Sequence, residues 1–186
     1  MSEIFAVIDT ETNYENELIS VGMVMVDSKS FEIQDEYYGI IDPAYKSPSM
    51  YENVLRYKSV KVDKISECKE IFEDLERNIS TYKIARFFAY NANFDYRHLK
   101  CLQRFQWYDI MKIAAYRQYN EKITKDFACC KTGRLKCNYN VTDMYRLLSG
   151  KYDYHEVHNA LEDARDELGI MRMLGKSLDM YEYARI

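Results

Sequence analysis

Two prolines and six glycines in 186 residues are too few for a fibrous chain or a Pro/Gly-rich disordered one. No apolar run reaches the roughly 20 residues that a membrane-spanning helix needs. The first residues, Met1-Ser2-Glu3-Ile4, lack the basic region and long apolar stretch of a secretory signal. The five cysteines are odd in number and irregularly spaced, which suits reduced thiols rather than a disulfide framework. A cytoplasmic location with no membrane partner is therefore expected. Cys129, Cys130 and Cys137 cluster without the paired Cys-x-x-Cys spacing of a zinc module. There are no repeats and no linker, so residues 1–186 read as one domain, large enough to bury a core.

Excess positive charge is missing too. A net charge of −4 excludes a protein that coats nucleic acid by bulk attraction. The charge is nevertheless uneven. Arg97 to Lys136 holds ten basic residues against three acids, a local balance of +7, which leaves −11 for the remainder. Phe105, Trp107, Tyr108, Tyr116, Tyr119 and Phe127 are interleaved there. Such a stretch either holds a single strand by phosphate contact and base stacking or is a solvated face whose aromatics point inward. Tyrosine is abundant, with 18 copies; half-buried strand positions account for this without a ligand.

The patterning is that of an α/β chain. Ile4 to Ile8, Ile19 to Val26 and Phe31 to Ile41 read as three closely spaced strands in an antiparallel meander. Ser49 to Leu55 reads as a short helix. Ile71, Phe72, Leu75 and Ile79 follow helical spacing over Ser66 to Ile79, with Ser66 as N-cap. Ile84 to Ala89 is a buried strand, Tyr96 to Phe105 a helix, Tyr108 to Met111 a strand and Ile113 to Tyr119 a helix. Residues 120–138 are polar and weakly patterned. Val141 to Leu148 is a helix ending before Gly150. The last helix is the clearest: Asn159 caps it, Glu162 follows three residues on, and Leu161, Ala164, Leu168 and Met171 form its apolar stripe.

Three segments carry chemistry: Asp9-Thr10-Glu11-Thr12, Asn91-Ala92-Asn93-Phe94-Asp95 and His158-Asn159-Ala160-Leu161-Glu162-Asp163. Residues two apart on a strand share a face, so Asp9 and Glu11 project together. They repel each other unless a cation lies between them. Hard oxygen ligands suit Mg²⁺ or Mn²⁺. Asp95 follows a buried strand, where ligands of α/β sheets bind, and Asp163 lies in the first turns of the last helix. Taken singly, Asp95 also suits a helix N-cap and Asp163 a dipole-stabilised surface acid. A neutral His158 can accept a proton near neutral pH, although spacing alone leaves His155 able to exchange roles with it.

The ordered set Asp9-x-Glu11, Asn91-x-x-Phe94-Asp95 and His158-x-Ala160-x-x-Asp163 resembles the three motifs of the DEDDh 3′→5′ exonuclease family. That family includes the proofreading subunit of the bacterial replicative polymerase, ribonuclease T and oligoribonuclease. The resemblance runs from about Phe5 to Leu174. Ile19-Ser20-Val21-Gly22 resembles the family's second strand, and Asp109-Ile110-Met111 its Asp-Thr-Leu segment. It implies a ribonuclease-H-like fold: a mixed central sheet of about five strands with helices on both sides.

It also implies two Mg²⁺ (or Mn²⁺) ions, with Asp9 bridging them, Glu11 and Asp163 on one, and Asp95 supporting the other. His158 would be the general base. Thr10, Thr12 and Asn91 would bind substrate, with the backbone at Thr10 and Thr12 cradling the terminal nucleotide. The partner would be a single-stranded DNA or RNA 3′ end, and the product a nucleoside 5′-monophosphate. A polymerase partner or a homodimer is compatible with the resemblance, and the motifs decide neither. The competing reading is a catalytically silent nucleic-acid-binding or replication-accessory module of the same fold. Retention of all five catalytic positions counts against it. The chain departs from the family at Tyr90, where many members have His, at Met50 to Val62, which lacks the usual Ile-His-Gly-Ile type sequence, and at Arg117 to Lys136, which has no counterpart.

Overall fold

The computed structural model describes residues 2–57 and 60–186. Among them, strands β1 (Ile4–Thr12), β2 (Leu18–Asp27), β3 (Ile33–Ile41), β4 (Lys64–Ser66), β5 (Arg86–Ala89) and β6 (Gln106–Asp109) form one sheet. Their order is β4-β3-β2-β1-β5-β6. β1, β2 and β3 are antiparallel neighbours, as the meander reading expects. β4, β5 and β6 add parallel pairings at the two sides, so the sheet is mixed.

Six strands replace the expected five or so. The addition is β4, whose Lys64-Ile65-Ser66 is too short to show alternation. Ser66 therefore belongs to a strand, and Glu67 occupies the N-cap position of helix α1 (Cys68–Tyr82).

The period-2 alternation of β1 assigns the two faces. Phe5 and Val7 enter one apolar core together with residues of α4 (Val141–Ser149) and α5 (Ala160–Leu174). Ala6 and Ile8 enter the other core, built with Ile71, Leu75 and Ile79 of α1 and with Leu99, Leu102 and Trp107. Helices thus cover both faces. Asp9 and Glu11 continue the Phe5–Val7 face, the one beneath α5.

Three predicted helices are shorter or absent, because tertiary hydrogen bonds outcompete the helical ladder. Helix α2 spans Asn93–His98, and the chain leaves helical geometry at Leu99 before a 3₁₀ turn at Lys100–Leu102. There the Trp107 indole donates to the Leu102 carbonyl at 3.0 Å, and the Gln103 amide donates to the Tyr96 carbonyl at 2.7 Å. Asp95 lies inside the first turn of α2 and is not its N-cap. Helix α3 covers only Met111–Ala114. Ser49 to Leu55 is a series of turns, and its Val54 and Leu55 carbonyls accept from Asn159 and Tyr38 at 2.9 Å each. Within the neighbouring Met50 to Val62 stretch, Lys58 and Ser59 lie outside the described residues, as does Met1 of the N-terminal reading. β1 runs past Ile8 to Thr12, which puts both motif acids within the strand.

Residues 120–138 form turns with isolated bridges, Tyr116–Arg134 and Cys129–Leu135. Of the aromatics interleaved with the basic residues of Arg97 to Lys136, Trp107 and Tyr108 are fully buried, and Phe105, Tyr116 and Tyr119 pack partly against the cores. Phe127 is exposed. The inward reading therefore describes most of them. No helix among the described residues is long and apolar enough to cross a membrane.

Helix α5 can lie on the sheet because of one glycine. Gly22 pairs with Asp9 across β1–β2, and a Cβ there would stand 2.3 Å from the Ala160 and Leu161 backbone. Neither backbone can yield without displacing the start of α5. Gly22→Ala is expected to cost about 1–3 kcal/mol or more, read as a lowered denaturation midpoint in urea. An unaltered midpoint would show that α5 does not need this approach.

Candidate active site

The start of α5 is built by its cap. The Asn159 side chain accepts from the Leu161 and Glu162 N–H groups and donates to the Val54 carbonyl and to the Tyr38 hydroxyl. It is fully buried, so it ties the helix to the 50s turns as well as capping it. Just before it, His158 has a φ of 62°, a left-handed conformation for which His, Asn and Asp are enriched. The turn brings one imidazole nitrogen and one carboxylate oxygen each of Glu11 and Asp163 within 4.8 Å of one another. His158 is the exposed member of this group and the two acids are buried. The Tyr51 ring lies 5.1 Å from the imidazole, centroid to centroid. His155 sits instead against the Arg146 guanidinium, so geometry separates the two histidines where spacing did not.

The second motif is positioned by two hydrogen-bond systems. Asp109, at the end of β6 and 1% exposed, accepts from the Asn91 and Met111 N–H groups at 3.0 Å each. That holds Asn91 in a left-handed turn with φ 60°, and Asp95 follows on α2. Thr10 donates to Asp95 at 2.7 Å. Thr10 is itself buried, so its hydroxyl is committed to Asp95 and only its backbone is left for a ligand. Asn91 is exposed and Thr12 partly so. Tyr90 donates its hydroxyl to the Tyr139 carbonyl, which fastens this motif to the chain ahead of α4.

Burial dominates the electrostatics. It pushes Asp95 up to about 7, Glu11 up to about 8 and Asp163 up to about 9. The neighbouring carboxylates add to this: Glu156 and Glu11 act on Asp163, and Asp9 is raised by burial and then by Asp95. Thr10 opposes the rise at Asp95 by donating to it. Asp9 Oδ2 and Asp163 Oδ1 are buried with no hydrogen-bond partner among the described residues. No lysine or arginine among those residues pairs with any of these acids. Unpartnered oxygens, hard donors and uncompensated negative charge fit divalent cations such as Mg²⁺ or Mn²⁺. The cysteines are free thiols, and none joins a potential metal-binding group among the described residues.

Sequence reading missed two acids here. Glu156, two residues before His158, is half-buried, and its carboxyl is raised by burial and by Asp166, with His158 and a Thr142 hydrogen bond opposing the rise. Glu167, 1% exposed, lies four residues after Asp163 on the same face of α5. Its signal was a charge inside the apolar stripe Ala164–Leu168–Met171. Tyr51, in a segment without periodicity, gave no signal.

A mixed sheet with helices on both faces and carboxylates gathered on its central strand is a ribonuclease-H-like fold, and among solved structures it is shared with exonuclease domains. The nuclease domain of 3′hExo, a DEDDh family member solved with rAMP, matches at TM-score 0.63 and 18% identity, over 94% of this chain and 92% of that one. Exonuclease X in complex with 5′-overhanging duplex DNA matches at 0.55 and 21%, over 96% and 98%. E. coli Exonuclease I with a dA16 oligonucleotide matches at 0.60 and 13%, over 97% of this chain but 42% of that enzyme. This chain thus spans less than half of that enzyme's length. A further form of Exonuclease I with single-stranded DNA holds a zinc ion. The chain has the fold of the DEDDh 3′-exonucleases. No protein-family model matches the sequence, and no curated protein does.

The raised carboxyls carry a pH signature. Unfolded, these groups release their protons near pH 4; folded and metal-free, Asp95, Glu11 and Asp163 hold them to about 7, 8 and 9. Between those limits the folded chain binds more protons, so their stabilising contribution is full below pH 4 and lost as pH rises. The metal-free protein is expected to melt at a lower temperature at about pH 9 than at about pH 5, with millimolar Mg²⁺ or Mn²⁺ restoring most of the difference. Scanning fluorimetry in chelator reads this directly, and equal melting temperatures would contradict it.

Proposed function

We propose that this chain is a metal-dependent 3′→5′ exonuclease, a single-domain hydrolase that releases nucleoside 5′-monophosphates from single-stranded 3′ ends. The observation that carries the reading is the convergence of Glu11, His158 and Asp163, with Asp9 two residues before Glu11 on β1 and its Oδ2 buried and unpartnered, on a fold shared with exonuclease domains that were solved with rAMP and dA16. A silent binding module has no need to gather uncompensated carboxylates at one point.

Asp9, Glu11, Asp95 and Asp163 would hold two Mg²⁺ or Mn²⁺ ions, and when bound these supply charge stabilisation to the attacking and leaving oxygens of an in-line displacement. His158, exposed at the rim of the cluster, takes the proton of the attacking water at a ring nitrogen. Tyr51 packs against that ring. Thr10 orients Asp95 through its hydroxyl. Asn91, exposed on its left-handed turn, and the backbone at Thr10 and Thr12 border the space for the terminal nucleotide.

End-labelled DNA and RNA oligonucleotides, offered with Mg²⁺, with Mn²⁺ or with chelator, test the reading. The parent is expected to shorten at least one polymer stepwise from its 3′ end, only with cation. His158→Ala should slow this by roughly 10²- to 10⁴-fold, the usual share of a general base, and Asp9→Asn should abolish it. Two variants that digest as fast as the parent would refute the assigned roles. A parent that is inert on every substrate while still binding oligonucleotide would replace the enzyme with a binding module.

A further inference from the structure

Two of the places where the motif resemblance fails, Tyr90 and the Arg117 to Lys136 stretch, are joined in the fold. Residues 128–136 fold back on themselves as a short ribbon. The Cys130 N–H donates to the Arg134 carbonyl at 2.7 Å, and the Lys136 N–H to the Ala128 carbonyl at 3.0 Å. Leu135, 3% exposed, seats the ribbon in the core, and its N–H donates to the Ala115 carbonyl at 3.0 Å. The Arg134 guanidinium lies over the Tyr139 ring, 4.7 Å from its centroid. The carbonyl of that same Tyr139 accepts from the Tyr90 hydroxyl, one residue before Asn91 of the second motif.

Several arginines are committed to other groups. Arg86, Arg104 and Arg165 pair with Glu3, Glu76 and Glu36, and Arg117 donates to the Phe127 carbonyl at 2.6 Å. Arg134 has no acid and no carbonyl partner among the described residues. Its position is fixed by the tyrosine face while its fork of N–H donors stays free, a presentation that suits two oxygens of a phosphate. Lys131 and Lys136 on the ribbon are exposed and enter no ion pair among the described residues either. Of the two acids between Arg117 and Lys136, Glu121 is taken by Lys176 at 3.4 Å. This concentration of unspent positive charge is fastened, through Tyr139 and Tyr90, to the turn that carries Asn91. A strand entering an acidic site needs such charge, since its own phosphates are repelled by the carboxylates. Most aromatics of the stretch point inward, so the contact is to backbone and not to bases.

Resting on the exonuclease reading above, we propose that Arg134, with Lys131 and Lys136, forms a phosphate-binding surface that grips the backbone of a single strand on the 5′ side of its terminal nucleotide.

Fluorescence anisotropy of the full chain tests this, with end-labelled single-stranded DNA and RNA of about 12 nucleotides, within the usual site size of such surfaces. Every protein in the series carries His158→Ala and is kept in Mg²⁺, so that the strand is held while digestion is slow. Arg134→Ala should weaken binding by roughly three- to tenfold whatever the base sequence, and lower the slope of log affinity against log salt by about 0.7, the share of one phosphate contact. Lys131→Ala combined with Lys136→Ala, both at exposed positions, should lower the slope by about twice that. A folding defect reduces the bound fraction but leaves the slope in place. Parental slopes in both variants overturn the phosphate surface alone. A chain that binds neither polymer overturns it as well, and the presence or absence of stepwise digestion by the parent then decides whether the exonuclease reading stands or falls with it.

Discussion

Where α5 begins, its backbone at Ala160 and Leu161 comes so close to Gly22 that one methyl group on β2 would collide with it at 2.3 Å. Everything at the site follows from that approach. Gly22 stands opposite Asp9 in the β1–β2 register, so the helix start is laid over the strand segment that carries the acids. Asp163 on the helix and Glu11 on the strand then share one small volume, with His158 at its rim. Asn159 secures the approach from the other side, because its amide serves the helix N–H groups and the 50s turns together.

That proximity sets stability against function. Glu11, Asp95, Asp163 and Glu167 are withdrawn from water, as is Oδ2 of Asp9, and the carboxylates oppose one another's charge. The rest of the fold supplies the compensation: two apolar cores, one on each face of the sheet, built on fully buried β1 and β2 residues such as Phe5, Ala6, Ile19 and Val21. An arrangement that strains the metal-free protein is suited to binding cations, since each ion removes repulsion as well as making bonds. The hydrogen bonds from Thr10 to Asp95 and from Asn91 and Met111 to Asp109 keep the acids from rotating apart when no ion is present.

Legibility along the chain tracked how local the causes were. α5 was readable because its cap Asn159 and its apolar stripe are adjacent in the chain. β1 and β2 were readable because both faces are covered and their apolar runs are unbroken. Tyr96 to Phe105 misled because Leu99 and Leu102 have helical spacing, yet Trp107 and Gln103 take the carbonyls that a longer helix would have used. Ser49 to Leu55 misled for the same reason, its carbonyls being claimed by Asn159 and Tyr38. β4 was too short to carry a period. At the site, Glu11, His158 and Asp163, singled out by motif order and spacing, lie together. Glu167 passed as one charge in an apolar stripe, and Tyr51 lay in a segment with no pattern.

The sequence by itself determined which side chains share a face: Asp9 with Glu11 on a two-residue period, and Asp163 with Glu167 on a four-residue one. It also determined where α5 starts, since Asn159 needs only its own next residues to cap it. Those are local consequences of backbone geometry. Which faces meet, and which of His155 and His158 enters the cluster, were decided only by tertiary structure. The physical reason is that these depend on contacts between residues far apart in the chain: Gly22 with Ala160, Asn159 with Val54, Thr10 with Asp95. No period or motif records such distances; packing on the sheet creates them.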